Sequence, residues 1–517
     1  MILKVRFQAH AEVSFEENIF MNRFDICVIG GGPAGYAAAM RALDLNKRVL
    51  LVEKGKIGGA GVYNGALSSK TFWELSRDVS LARKRLQKYA CTEIKVDFKE
   101  ILNDVKEAIF LRKVQLETHI LLLQRKKKDL FSYIKAEARL VSANDVLLKK
   151  SNGDEEIISA DNIVLATGSR PRKLAHIPID EKIIVTSDGI ECFTDFPESM
   201  VILGAGVIGC EWATIFSNFG RTKVNLIDKA DRILPFEDED ISLTTQTNLE
   251  DNGVTIHKNS QLVRMEIKDG RVEYELKYKD GHSEIHNVEK ALVSVGRVPN
   301  TETLGAKEVG VVINDNCTVV NEDTRTTVAN IYAVGDLTSD FALANVGELE
   351  GRHAVEKMFG LSPKPLTYKN ISTIMFLNPE TAGVGMNEQD ARSKGIPYRV
   401  VSIDYSLIPR AIAMRNTNGF FKILVTNDDE MKILGMRAVG VHASSAIQAV
   451  ALLISMDKGI EELAELIHPH PSIIEGIQEC VRMLKGKSVL KPEIFKDMLK
   501  CRGCNEKGEY FELAQQR

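Results

Sequence analysis

Short apolar runs, continuous rather than alternating, punctuate the first two thirds of this chain. Residues 24–29 form one such run, which ends in Gly30-Gly31-Gly32-Pro33-Ala34-Gly35. An apolar helical stretch follows, and residues 48–52 then return as a second run that stops at Glu53. Continuous runs of this length suit strands buried on both faces, the habit of parallel sheets. Strand, glycine turn, helix, strand and terminal acid is the order a dinucleotide-binding βαβ unit requires. A second copy begins at Met200, passes through Gly204-Ala205-Gly206-Val207-Ile208-Gly209 and ends at Asp228. One such glycine motif is weak evidence, whereas two in full βαβ context predict two nucleotide sites.

Further apolar strands at 163–168 and 291–296 each close on a glycine turn, and 331–336 ends in Asp336. Helical patterns are expected at about 71–90 and 98–128, on the first unit. From about 366 the pattern changes to alternating strands with glycine-rich turns, followed by helices at about 443–457 and 460–467. The polar segment from Lys491 reads as an appended tail.

Composition narrows the class. With 517 residues, 44% hydrophobic and 27% charged, the chain has ample core for about three domains. A net charge of −4 offers no basic field for nucleic acid or anionic membrane. The basic cluster Arg125-Lys126-Lys127-Lys128 fits a helix C-terminus, where cations suit the dipole. No stretch reaches the ~20 apolar residues of a membrane span. Glu12, Glu16 and Glu17 make the opening unlike a secretory or transit signal, and Met21 is an alternative start. Eight scattered cysteines fit a reducing compartment, so a cytoplasmic location is expected. No metal site is expected: Cys501-Arg-Gly-Cys504 lacks the second pair that a zinc site would need.

In their order, these motifs resemble those of the pyridine nucleotide–disulfide oxidoreductases over roughly residues 24–490. Gly296-Arg297-Val298-Pro299-Asn300-Thr301, Asn378-Pro379-Glu380 and the segment His468-Pro469-His470-Pro471-Ser472-Ile473-Ile474-Glu475 carry the resemblance further. It implies an α/β, glutathione reductase-like fold with two Rossmann-like domains and an α+β C-terminal dimerisation domain. The expected boundaries are an N-terminal extension at 1–22 and an FAD-binding domain from 23–168 and 298–365. An NAD(P)-binding domain at 169–297, a dimerisation domain at 366–490 and a tail at 491–517 complete the division. The family carries a cysteine pair in the loop that here reads Gly58-Gly-Ala-Gly-Val-Tyr-Asn-Gly-Ala-Leu-Ser-Ser-Lys70. Gly61 and Ala66 stand at the two cysteine positions. Neither can form the thiolate that disulfide exchange requires.

The first glycine cluster is expected to bind FAD. Gly30 makes the turn, Gly32 lets backbone approach the pyrophosphate, Gly35 permits close helix–strand contact and Glu53 meets the ribose. Lys54, Ala138, Gly168, Asp336 and the helix start at Ala344 join this FAD set by resemblance. Gly204, Gly206, Gly209, Asp228, Lys229 and Gly296 are the corresponding NAD set. Asp228 favours ribose hydroxyls and hence NADH, while Lys229 leaves NADPH open. Val207 stands where some relatives place a bulky gate. Lys70 and Glu211 are expected to pair near the flavin, and His470, oriented by Glu475, to move a proton across a homodimer interface. His468 is expected to be structural.

The leading expectation is an FAD-dependent NAD(P)H oxidoreductase that reduces a non-thiol, small-molecule electron acceptor such as a quinone. A soluble pyridine nucleotide transhydrogenase and a non-catalytic FAD-binding protein are the alternatives. Intact Lys70, Glu211, His470 and Glu475 weigh against the last.

Overall fold

The computed structural model describes residues 23–89, 94–338 and 341–513. The expected N-terminal extension and Met21 lie outside the described residues. At the centre of the first unit, Arg23–Ile29 pairs in parallel with Val49–Val52 on one side and with Glu155–Leu165 on the other. Phe131–Ile134 extends this sheet beyond Val49–Val52, and Ile331–Ala333 extends it beyond Glu155–Leu165. All four residues of Val49–Val52 are buried, which explains why the run shows no alternation. An antiparallel extension, Ala136–Leu140 with Asp145–Lys150, joins the sheet through Glu155–Leu165.

A five-stranded sheet forms the second unit, in the order Thr255–His257, Lys223–Ile227, Ser199–Leu203, Lys290–Val293 and Ile184–Val185. Every neighbour pair in it is parallel. A three-stranded antiparallel sheet, Ser260–Lys268, Arg271–Tyr278 and Ser283–Val288, packs beside it. The shared core includes Val201, Ile227, Met265, Tyr274 and Leu276. Ser169–Pro171 pairs antiparallel with Arg297–Pro299 where the chain crosses between the two units.

The long helices are Ala66–Tyr89 and Phe98–Lys126, close to the expected spans. Asp97 caps the second by accepting from the Lys99 N–H at 2.8 Å. An aromatic core welds Ala66–Tyr89 to the helix Val207–Phe219: the Phe72 and Trp212 rings lie 5.5 Å apart, edge to face. That contact sets the register between the helix carrying Lys70 and the helix carrying Glu211.

The C-terminal sheet has seven strands, led by Ser372–Met375 and Thr381–Gly385. The helix expected at 443–457 is divided into Ala443–Ala446 and Gln448–Ser455. Ser444 and Ser445, weak helix formers, occupy the short first piece. The second expected helix contracts to Glu461–Ala464. Its intended end runs into His468-Pro469, and a residue before proline is disfavoured in helical geometry. The segment read as a tail is different in kind: Leu499–Cys504 adds to the sheet edge at Tyr398–Asp404, and Tyr510–Glu512 pairs with it in turn. No helix among the described residues is long and apolar enough to cross a membrane.

Candidate active site

The two glycine turns share one geometry. Gly30 and Gly204 adopt φ of +109° and +102°, in the region that favours glycine. A Cβ on Gly35 would stand 1.9 Å from Gly30 O, and one on Gly209 would stand 1.9 Å from Gly204 O. Both positions must therefore stay bare for helix and strand to touch. At Gly32 and Gly206, by contrast, a Cβ would meet nothing within 4 Å. These residues are the N-caps of the helices Pro33–Asp44 and Val207–Phe219, and neither helix start carries a side-chain cap. Such an amino end is built for a phosphate group.

The terminal acids are positioned alike. Glu53 accepts from the Gly31 N–H at 2.7 Å and from Gly55 at 2.6 Å. Asp228 accepts from Ala205 at 2.7 Å and from Ala230 at 2.9 Å. Each carboxylate is thus locked against its glycine turn and keeps lone pairs for ribose hydroxyls. Lys54 and Lys229 are exposed beside them, and Val207 opens the second helix. Ala138 lies in Ala136–Leu140 with its methyl in the apolar core, so only its backbone could meet a cofactor.

Gly168 (φ +65°) and Gly296 (φ +101°) form the two crossing turns, with open space at each. Between them Asp336 accepts from Ser169 Oγ at 2.6 Å, and Arg297 donates to the same Ser169 Oγ at 2.7 Å. Sequence reading missed this Arg297–Ser169–Asp336 chain, although Arg297 belongs to the recognised turn motif. Ala344 begins the helix Ala344–Met358, whose first turn holds no acid to compete for its amino end.

Lys70 Nζ lies 2.8 Å from Glu211 Oε2. Glu211 is 5% exposed, and its other oxygen accepts from the Phe376 N–H at 3.0 Å. The Phe376 ring lies 4.8 Å from the ammonium. Three parts of the chain therefore converge on one carboxylate, and Trp73 Nε1 donating to Leu377 O at 3.0 Å fixes the third. The loop before Lys70 is closed tightly: a Cβ on Gly61 would meet Pro33 Cγ at 2.8 Å, and Ala66 opens the helix.

His470 Nδ1 lies 2.7 Å from Glu475 Oε1, while Glu475 Oε2 accepts from the Ser472 N–H at 2.9 Å. Burial alone would raise the Glu475 carboxyl, but the Ser472 N–H and His470 outweigh it and hold the group below its usual range. The His470 ring is 70% exposed in the single chain. It follows Ile467, which is 98% exposed. Within one chain no hydrogen bond or ion pair links this pair to Lys70–Glu211 among the described residues. Burial lowers the His468 imidazole.

Cys501 and Cys504 cannot work as a dithiol in this arrangement. They are three residues apart on one strand, so their side chains leave opposite faces. Cys501 joins the core with Cys480 and Val401, whereas Cys504 is buried with Tyr398 and Leu424. Burial pushes the Cys501 thiol up to about 11.

Sequence reading also missed a buried charge cluster. Lys422, 2% exposed, meets Asp238 at 2.6 Å, Asp240 at 2.6 Å and Glu388 at 3.2 Å. Arg502 of the added strand reaches Glu388 at 3.3 Å. A lone lysine inside the apolar strand Phe420–Thr426 was the available signal.

Residues 24–351 match the family model described as pyridine nucleotide-disulphide oxidoreductase, and 371–481 match its dimerisation domain. The chain belongs to this family of FAD-binding, NAD(P)H-dependent oxidoreductases. A dihydrolipoyl dehydrogenase of Bacillus subtilis is 31% identical over 476 residues, covering 90% of this chain and 99% of the relative. One from Geobacillus stearothermophilus is 32% identical over 467 residues, covering 89% and 96%. Among solved structures, LpdA from Mycobacterium tuberculosis superposes with a TM-score of 0.81 at 26% identity, covering 89% of this chain and 99% of its own. The HOCl-induced flavoprotein disulfide reductase RclA from Escherichia coli does so at 0.77 and 25%, covering 89% and 100%.

The open cradles at Gly32 and Gly206, each under an amino end and beside a locked acid, fit the two nucleotides of this family.

Proposed function

We propose that this protein oxidises NADH and reduces a non-thiol acceptor, a quinone or similar two-electron compound, without a redox disulfide. One observation carries the reading. The Lys70–Glu211 pair is intact at 2.8 Å, while the loop leading to it holds Gly61 and Ala66 where the family carries cysteines. The close approach of Pro33 to Gly61 supports it, because a thiol-bearing side chain would need the loop to move.

Gly32, Glu53, Asp336 and the amino end at Ala344 would hold FAD, and Gly206 and Asp228 the nicotinamide nucleotide. Bound FAD supplies two-electron transfer between the reduced nicotinamide and the acceptor. Glu211 holds the Lys70 ammonium in place, and the Phe376 ring packs against it. Quinone reduction by NADH consumes one proton beyond the hydride. His470 is the proposed donor: an imidazole changes charge near neutrality, and Glu475 fixes its ring by holding Nδ1. His470 and Ile467 are exposed in the single chain and lie in the family's dimerisation domain, which supports a homodimer in which each His470 serves the partner's site.

An acceptor panel tests the reading. NADH oxidation should proceed with quinones and fail with lipoamide and glutathione. Lipoamide-dependent turnover that persists in a Cys501→Ala/Cys504→Ala double variant would refute it. Turnover of NADPH with an NAD⁺ analogue as sole acceptor would instead favour the transhydrogenase reading that Lys229 leaves open.

A further inference from the structure

Away from the redox residues, the edge strand Thr255–His257 and the outer strand Ser283–Val288 bring a histidine–carboxylate group together. Glu284 and His286 are two residues apart on one strand, so their side chains leave the same face. His286 Nε2 lies 3.0 Å from Glu284 Oε2. Tyr278 links His257 to the same carboxylate: its hydroxyl is 2.6 Å from His257 Nδ1 and 3.0 Å from Glu284 Oε2. One donor atom from each of His257, Glu284 and His286 falls within 4.8 Å of the others.

We infer that His257, Glu284 and His286 form a binding site for a divalent transition-metal ion of the zinc type. Imidazole and carboxylate donors together suit zinc, copper or nickel better than calcium or magnesium. A tetrahedral ion with ligand bonds of about 2.0–2.2 Å requires its donors to gather at roughly 3.3–3.5 Å from one another. The donors lie within 4.8 Å of one another, so a bound ion would draw them closer together. Three protein ligands leave a fourth position, and the Tyr278 hydroxyl already stands beside two of them. His282 adds a neighbouring imidazole, with Nε2 3.5 Å from Glu284 Oε1 and its ring stacked on Tyr278 at 4.3 Å.

The surroundings are stiff where a site needs stiffness. Tyr274, fully buried, stacks on the His286 ring at 5.0 Å. The backbone oxygen of His257 accepts from the Asp228 N–H at 3.0 Å, which ties its strand to the turn beside the proposed nucleotide acid. Glu284 is exposed, so an ion has a path in. The donors come from two distant stretches of chain, and no local motif announces them.

Tag-free, FAD-loaded protein stripped with chelator and then dialysed against zinc chloride provides the test, with bound metal counted by mass spectrometry. Wild type should retain about one zinc per chain more than a His257→Ala/His286→Ala double variant. Glu284→Gln, which keeps the side-chain shape, should weaken zinc binding about tenfold or more in competition with a chromophoric chelator. Unaltered flavin content and circular dichroism identify variants that have folded. Equal zinc uptake by wild type and a folded double variant would overturn the inference, as would a wild-type dissociation constant unmoved by Glu284→Gln.

Discussion

The two βαβ units begin alike and end differently. In both, a left-handed glycine, a bare third glycine and an acid bound to the turn build the same cradle. The first helix, Pro33–Asp44, packs through Ala34 and Ala38 against Ala344–Met358, so closely that a Cβ on Gly351 would meet Ala34 O at 2.2 Å. The second helix, Val207–Phe219, is enclosed by Phe72, Trp73 and Phe193 and carries Glu211 toward Lys70. One cradle is thus backed by a close helix pair that brings no charged side chain of its own toward Lys70. The other is backed by a helix that also delivers a carboxylate to the proposed reaction site. The same local code is followed by different packing in the two units, and only the second helix presents a carboxylate to another element.

Gly35→Val should have the largest effect and tests whether the units are separable. Its Cβ would collide with Gly30 O, so the protein should purify without flavin absorbance, while Gly209→Val should keep flavin and lose its bleaching by NADH. Loss of flavin in both would mean that the units do not act independently.

Glu211→Ala comes next, because it strands Lys70 and the Phe376 N–H around a buried gap. Because Lys70 is partly exposed, the loss should be roughly 1–3 kcal/mol, the cost of leaving the Phe376 N–H without its acceptor. Chemical denaturation should register that loss, and a value under 1 kcal/mol would place the pair among surface bridges.

His470→Ala should slow reoxidation of the reduced enzyme by quinone by about 10²-fold or more while leaving reduction by NADH nearly unchanged. Stopped-flow records the two halves separately, and equal rates for variant and wild type would leave His470 as an interface residue only.

A smaller effect is expected at Asp228. Asp228→Asn should raise the KM for NADH about tenfold and narrow the preference over NADPH, since the carboxylate no longer repels a 2′-phosphate. Steady-state kinetics with both nucleotides decides it. An unchanged ratio would transfer the selectivity to Lys229.

The smallest is a pH effect at the added C-terminal strand. Burial would raise Glu388, but Lys422, Tyr510 and Arg502 hold it down at about 2. Its folded value is lower than its unfolded value, so its stabilisation is complete above the ordinary carboxylate range and lost as pH falls through about 2. Glu388→Gln should therefore reduce stability at neutral pH and narrow its gap to wild type in strong acid. A constant gap across that range would show that the cluster is not coupled to ionisation.

Local sequence determined the two cradles by itself. Glycine turns, apolar strands and terminal acids lie within a few tens of residues, and their chemistry is dictated by backbone freedom and spacing. That positions 61 and 66 hold glycine and alanine is likewise a plain fact of the chain, visible without a fold. Only the tertiary structure decided which charges meet. Lys70 and Glu211 are paired by an aromatic core, and Lys422 is buried among acids at the starts of two helices far away in the chain. His257 meets Glu284 and His286 because a three-stranded sheet packs beside the nucleotide sheet. The polar composition of the last residues suggested a tail, yet a strand needs only a free edge and a matching register, and Tyr398–Asp404 supplied both. Periodicity records what each residue faces on its own element. Contacts between distant elements depend on how whole surfaces pack, and that information exists only once the chain is folded.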